Sequence, residues 1–180
     1  TTVVQFFKEL GTPVYIADER AKALMGSDPE VKKAIITQFG DAAYKGSEPD
    51  RAYLANLVFN NSDKLQQLNS IIHPAVERDF KNWLQKQDSP YVIKESAIAI
   101  ETGAHRQCDL LILVTAPLEE RITRVMNRDK VSRDKVLARI KRQLTDEEKI
   151  KYADYVIENT DKTLTKYIVY NINNKILNNM

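Results

Sequence analysis

Arginines crowd one part of this chain: Arg121, Arg124, Arg128, Arg133, Arg139 and Arg142 share a single stretch. The first three recur at i, i+3 and i+7, the spacing of one helical face. A guanidinium presents a planar fork of donors that matches two phosphate oxygens at once. The stretch therefore suits a site that clamps a polyanion, and a solvated basic face fits the same pattern equally well. Polar side chains also fall where strands should end, at Asp18, Glu95, Thr115 and Asn159. The two histidines and the single cysteine, Cys108, are too little material for a zinc cluster or a Ser-His or Cys-His nucleophile.

The elements that must hold these residues follow from periodicity. Leu110 to Thr115 is an apolar run ending in a turn at Ala116-Pro117, and reads as a buried strand. It feeds a helix with Leu118, Ile122 and Val125 on one stripe; a second helix carries Arg133, Arg139 and Arg142, broken from the first near Lys130-Val131-Ser132. Thr1 to Leu10 reads as a helix with Val3, Phe6, Phe7 and Leu10 on one face and Gly11 as its C-cap. Pro13 to Ile16 reads as a strand delivering Ala17-Asp18, with a helix over 19–25. Asp28-Pro29 has the composition of an N-cap and first helical position. From 26 to 85 the pattern is almost wholly helical, interrupted by a polar turn cluster at 44–50, and Ser62 or Asp63 is expected to cap one helix. Strands return at 90–95 and 155–157, with Ala97 to Ile100 either extending the first or turning. A last helix bears Leu164, Ile168, Ile172 and Ile176 at i+4 spacing. Near-continuous apolar strands alternating with helices argue for an α/β fold with a parallel sheet covered on both faces. Ligands in such folds bind beyond the carboxyl ends of the strands.

Composition narrows the class. At 180 residues, 43% hydrophobic and 29% charged, the chain has the make-up of one globular domain. The formal net charge of +2 makes the arginine stretch local and argues against a nucleic-acid binder, which needs a broad basic footprint. No apolar run reaches membrane-spanning length, so no membrane partner is expected. A lone cysteine forms no internal disulfide and fits a reducing, cytoplasmic setting. The first residues do not resemble a signal peptide; they lack an initiator Met and read as the interior of a helix.

Seven segments, in order, resemble the dephospho-CoA kinase family of P-loop kinases. Thr1-Thr2-Val3-Val4 is similar to the residues following the P-loop lysine, and Val14-Tyr15-Ile16-Ala17-Asp18 to a strand ending in Asp-Ala-Asp, with Ile16 at its first Asp. Gln38-Phe39-Gly40 resembles the family's Phe-Gly at a helix end. Asp50-Arg51-x-x-Leu54 with Val58-Phe59 resembles its Asp-Arg helix, and Leu68-Asn69-x-x-x-His73-Pro74 its His-Pro signature. Arg124-x-x-x-Arg128-Asp129 with Gln143 is similar to its lid region, and Ala153-Asp154-x-Val156-Ile157-x-Asn159 to its last strand. The 180 residues do not include the Gly-rich loop, its lysine or the strand before it, which are expected to precede Thr1 in a longer chain. The family's Pro-Leu-Leu-[Phe/Tyr]-Glu is altered here to Ala97-Ile98-Ala99-Ile100-Glu101.

The resemblance implies a P-loop kinase-like parallel sheet of about five strands, counting one before Thr1. The core would comprise 1–25, 86–124 and 150–180, with a helical acceptor subdomain at 26–85 and a lid at 125–149. It implies transfer of the γ-phosphoryl of ATP, with Mg²⁺, to the ribose 3′-hydroxyl of dephospho-CoA. Asp18 would be the general base, Arg51 would orient the acceptor, and Arg124 would stabilise phosphate charge. Thr1, Thr2, Arg128, Arg133 and Asn159 would complete the nucleotide site, with Thr1 as Mg²⁺ ligand and Asn159 near the adenine. His73 and Glu95 would join Asp18 and Arg51 on the acceptor side. The remaining partners would be small molecules only, on a monomer or homo-oligomer. Another small-molecule kinase, such as a nucleoside monophosphate kinase, and a non-catalytic ATP- or CoA-binding protein are the alternatives.

Overall fold

Both chain ends contribute to one compact unit, Thr1–Pro13 with Ala97–Met180, and Val14–Ser96 forms a second. A computed structural model describes residues 2–59 and 61–179. The chain opens with helix α1 (Thr2–Glu9), which buries Val3, Val4, Phe6 and Phe7. Leu10 lies past its end and is exposed, so the apolar face is one residue shorter than its periodicity suggests.

In the second unit, strand β1 (Val14–Ile16) runs directly into α2 (Ala17–Ser27). Next comes α3 (Pro29–Phe39), whose N-cap Asp28 accepts from the backbone N–H groups of Glu30 and Val31, as the Asp-Pro pair predicts. Where a polar turn was expected, β2 (Tyr44–Lys45) and β3 (Glu48–Pro49) form a short antiparallel hairpin closed through Gly46 at φ 65°. Helices α4 (Arg51–Phe59) and α5 (Ser62–Leu84) follow. The cap of α5 is Asn61, which accepts from Lys64 N–H, rather than Ser62 or Asp63; both of those lie inside the first turn. The helices enclose a core that includes Ile35, Ala43, Leu54, Leu68 and Ile72. Strand β4 (Ile93–Glu95) then pairs parallel with β1, placing Ile16 opposite Glu95.

The chain returns to the first unit through turns over 97–103, so Ala97 to Ile100 does not extend β4. Strand β5 (Ile112–Thr115) leads to α6 (Leu118–Asp129), α7 (Arg133–Ile140) and the short α8 (Asp146–Ile150). Strand β6 (Tyr155–Glu158) pairs parallel with β5, Thr115 opposite Glu158, and α9 (Lys162–Asn178) closes the described chain. Between α6 and α7, Lys130 takes φ 54°, the left-handed conformation that stops a helix. Phe7, Ile122, Val136, Ile157 and Val169 are all almost fully buried in this unit.

The parallel α/β character is as expected. On α9 the buried stripe is Thr165, Val169, Ile172, Asn173 and Ile176, while Leu164 is exposed. A strict i+4 row advances 400° for 360° of helix, so it drifts off any one face, and burial shifts to i+3 and i+4 in alternation.

Candidate active site

In the split unit, the β5 and β6 carboxyl ends carry Thr115 and Asn159 side by side, joined by Asn159 N–H donating to the Thr115 carbonyl at 2.8 Å. The Asn159 carbonyl in turn accepts from Arg124 Nη1 at 2.8 Å, and Arg124 Nη2 reaches Glu120 Oε2 at 2.6 Å. Two of the residues singled out from sequence, Arg124 and Asn159, are thus brought into direct contact. Thr165 Oγ1 lies 3.3 Å from Asn159 Oδ1, so the amide is held from the α9 side as well. A guanidinium fixed over a strand end, still half-exposed, is placed to meet an anion without a large search of rotamers.

Arg121, Arg128, Arg133 and Arg139 each make contact elsewhere with an acid. Arg128 grips Asp129 through two nitrogens, at 2.7 and 3.2 Å, and Arg139 reaches the same carboxylate at 3.0 Å. Arg128 beside it, against the opposing effect of burial and with help from Arg139, pulls the Asp129 carboxyl down to about 2. Arg133 forks onto Glu119 at 2.8 and 2.7 Å, which lowers the Glu119 pKa. Arg121 pairs with Asp146 through its two terminal guanidinium nitrogens, at 3.1 and 3.0 Å. Read from sequence, these side chains make a free cationic face; in the fold, an adjacent acid in the case of Arg128 and acids from other elements in the case of Arg121, Arg133 and Arg139 neutralise them. The Glu120–Arg124 pair was visible as an i, i+4 spacing. Glu119 and Arg133 are too far apart in the chain for any such rule.

In the inserted unit, Asp18 is the second residue of α2, immediately beyond β1, and is exposed. It does not cap α2: the N-cap is Ile16, with no side-chain bond. A carboxylate in a first turn is favoured by the helix dipole. Glu95 ends β4, in register with Ile16, so both carboxylates belong to the carboxyl end of the same strand pair. Arg51 is the exposed first residue of α4, and His73 lies mid-way along α5, its ring exposed and its pKa lowered by partial desolvation. Among the described residues no hydrogen bond or ion pair joins Asp18, Arg51 and His73.

Sequence reasoning missed the strongest polar cluster of this unit. Tyr15 is buried on β1 and donates to Asp79 Oδ2 at 2.7 Å, while Arg20 forks onto the same carboxylate at 2.7 and 2.6 Å. Arg20 holds the Asp79 carboxyl below its ordinary range, and desolvation, with Asp79 beside it, raises the Tyr15 phenol. No local spacing links residues so far apart in sequence.

Thr1, expected to ligate Mg²⁺, lies outside the described residues; Thr2 begins α1. Among the described residues no group of three or more His, Cys, Asp or Glu side chains could hold a metal ion. No described helix is long and apolar enough to cross a membrane.

Known proteins resemble this chain over most of its length. The family model described as CoaE, dephospho-CoA kinase, matches residues 1–165. A dephospho-CoA kinase of Bacteroides fragilis is 36% identical over 160 residues, covering 88% of this chain and 78% of the relative. That of Salinibacter ruber is 39% identical over 168 residues, covering 91% and 84%. The crystal structure of TT1252 from Thermus thermophilus aligns with a TM-score of 0.84 at 33% identity, covering 99% of this chain and 90% of that one. Dephospho-CoA kinase from Campylobacter jejuni aligns with a TM-score of 0.70 at 26% identity, covering 99% and 92%. With a family model spanning most of its length and relatives at this identity, the chain belongs to the dephospho-CoA kinase family.

Proposed function

We propose that the protein phosphorylates the ribose 3′-hydroxyl of dephospho-CoA with ATP, giving coenzyme A and ADP, the last step of coenzyme A synthesis. The family match over residues 1–165 carries this reading. Asp18, at the carboxyl end of β1, accepts the proton of the attacking hydroxyl. Arg51 orients the acceptor, with His73 and Glu95 on the same substrate. Arg124 meets the charge developing on the transferred group, and its tie to Asn159 fixes it before ATP arrives. Arg128 and Arg133 take up phosphate oxygens by leaving Asp129 and Glu119, an exchange of one half-exposed ion pair for another that costs little. Thr2 and Asn159 complete the nucleotide contacts; the hydroxyl of Thr1 would hold the Mg²⁺ of Mg·ATP, which would offset phosphate charge. Residues 26–85 form the acceptor subdomain and 125–149 a lid whose closure keeps water from competing with the hydroxyl. The substrates and the lone thiol of Cys108 suit the cytoplasm.

The test is ADP release by the full-length protein with Mg·ATP and dephospho-CoA, with AMP as control acceptor. Turnover with dephospho-CoA and none with AMP is expected; turnover with AMP alone would overturn the substrate assignment. Asp18→Asn should lower kcat by at least about a hundredfold, the lower end of the typical range for losing a general base, while ATP binding stays within about twofold. An unchanged kcat would remove Asp18 from that role.

A further inference from the structure

Glu101 sits in the turns between β4 and β5, at the end of the altered segment Ala97-Ile98-Ala99-Ile100-Glu101, and neither the proton transfer nor the phosphate contacts use it. Its Oε1 accepts from Leu144 N–H at 3.1 Å and pairs with Lys149 Nζ at 3.0 Å. That pair is far from the usual surface kind: the Glu101 and Lys149 side chains are only 18% and 12% exposed. Burial works against the Glu101 charge, yet its own backbone N–H, Lys149 and Leu144 outweigh it and hold the carboxyl below its ordinary range. One carboxylate thus grips the chain just before α8, at Leu144, and the last turn of α8, at Lys149. Nearby, His105 packs edge-on to Tyr152 at 5.2 Å, so the two segments have a second, apolar attachment.

The route continues from α8. Its first residue, Asp146, holds Arg121 with a two-point fork, and Arg121 lies one turn before Arg124 on α6. Arg124 is the guanidinium that reaches the Asn159 carbonyl. A buried charged pair at one end and a forked pair in the middle leave α6 little freedom to rotate about its axis. Such a rotation is what would swing Arg124 away from the strand ends.

We propose that Glu101 is a positioning residue of the phosphoryl-transfer site, acting through Lys149 and α8, then Asp146 and Arg121, to fix the α6 orientation from which Arg124 works. This rests on the role given above to Arg124. Because a displacement of about 1 Å from a remote change can cost up to a hundredfold in rate, an intermediate loss is the natural expectation.

The experiment compares full-length wild type with Glu101→Gln, Lys149→Gln and the double variant, each assayed well below its melting temperature. Gln keeps the size of Glu101 and an oxygen for Leu144 N–H, and the His105–Tyr152 contact remains, so folding should survive. Each single variant should lower kcat about tenfold with the KM for dephospho-CoA unchanged, and the double should lose no more than either single. Amide hydrogen exchange supplies a readout independent of turnover: in Glu101→Gln, exchange should quicken at 144–150 and also at 121–128, with α9 unaffected. Quicker exchange confined to 144–150, or an unchanged kcat in a folded variant, would overturn the proposal. Absence of wild-type turnover would instead strike at the kinase reading, and the exchange result would still decide whether Glu101 governs α6.

Discussion

Asp79 is asked to satisfy two groups at once, and the two are not equal. Arg20 is about half exposed, so its attraction to the carboxylate competes with water and salt. The Tyr15 hydroxyl belongs to a side chain only 2% exposed, wedged edge-on to Phe80 at 5.0 Å and tilted against Trp83 at 5.4 Å. A buried donor bonded to a charged acceptor is worth more than a half-solvated ion pair. Tyr15→Phe keeps the ring packing and deletes only the bond, so it should cost about 1.5 kcal/mol in urea unfolding, with the m-value unchanged. No change in midpoint would mean that the phenol is solvated in solution and that ring burial alone holds β1 against α5. Asp18, a few residues along, contrasts with this: it is exposed and makes no hydrogen bond or ion pair among the described residues.

At the scale of elements, the α6–α7 joint is where charge and backbone meet. Lys130 ends α6 in the left-handed conformation, its N–H donating to the Met126 carbonyl at 3.0 Å, while Asp129 beside it holds arginines from both helices. The folded-state pKa of Asp129, about 2, lies below the ordinary aspartate value of about 3.9. Its contribution to stability is therefore complete above about pH 4 and is lost as pH falls toward about 2. Asp129→Asn should melt below wild type by a constant margin from pH 5 to 7, and thermal scans should show that margin closing below about pH 4. A margin that persists at pH 2 would assign the effect to side-chain packing. Much at this scale was legible in the sequence: the Asp28-Pro29 start, the break at Lys130, and the strands before Asp18 and Asn159. These depend on neighbours a few residues apart. What escaped depends on chain geometry or distant partners. Asn61 took the cap from Ser62 and Asp63 because α5 begins one residue earlier than its polar cluster implied. Leu164 lost its place in the core to Thr165, because no i+4 row stays on one face of α9. The acids that occupy Arg121, Arg133 and Arg139 come from other turns and helices, whereas Glu120 and Asp129 are local neighbours of Arg124 and Arg128.

At the scale of the whole molecule, the chain makes the short first segment of one unit, leaves at Pro13 to make all of the other, and returns at Ala97 to complete the first. The first and last helices meet inside the split unit, where Lys166 reaches Glu9 at 2.9 Å and lies over the Phe6 ring at 5.6 Å. The inserted unit enters at β1 and leaves at β4, and because these strands are parallel its entry and exit lie at opposite ends of the pair. Short parallel strands gain their stability from the helices that cover them more than from their own ladder. The insertion also sets an order of mechanical events. Tension applied between handles on Thr2 and Asn179 falls first on the split unit, since its two segments carry the load wherever they are joined. Val14–Ser96 is shielded until they part. A single-molecule pulling trace should therefore show the split unit yield first and the inserted unit extend second, by roughly 83 residues' worth of chain at ~3.5 Å each. Handles moved to Val14 and Ser96 should abolish that order, turning a protected module into the first to break.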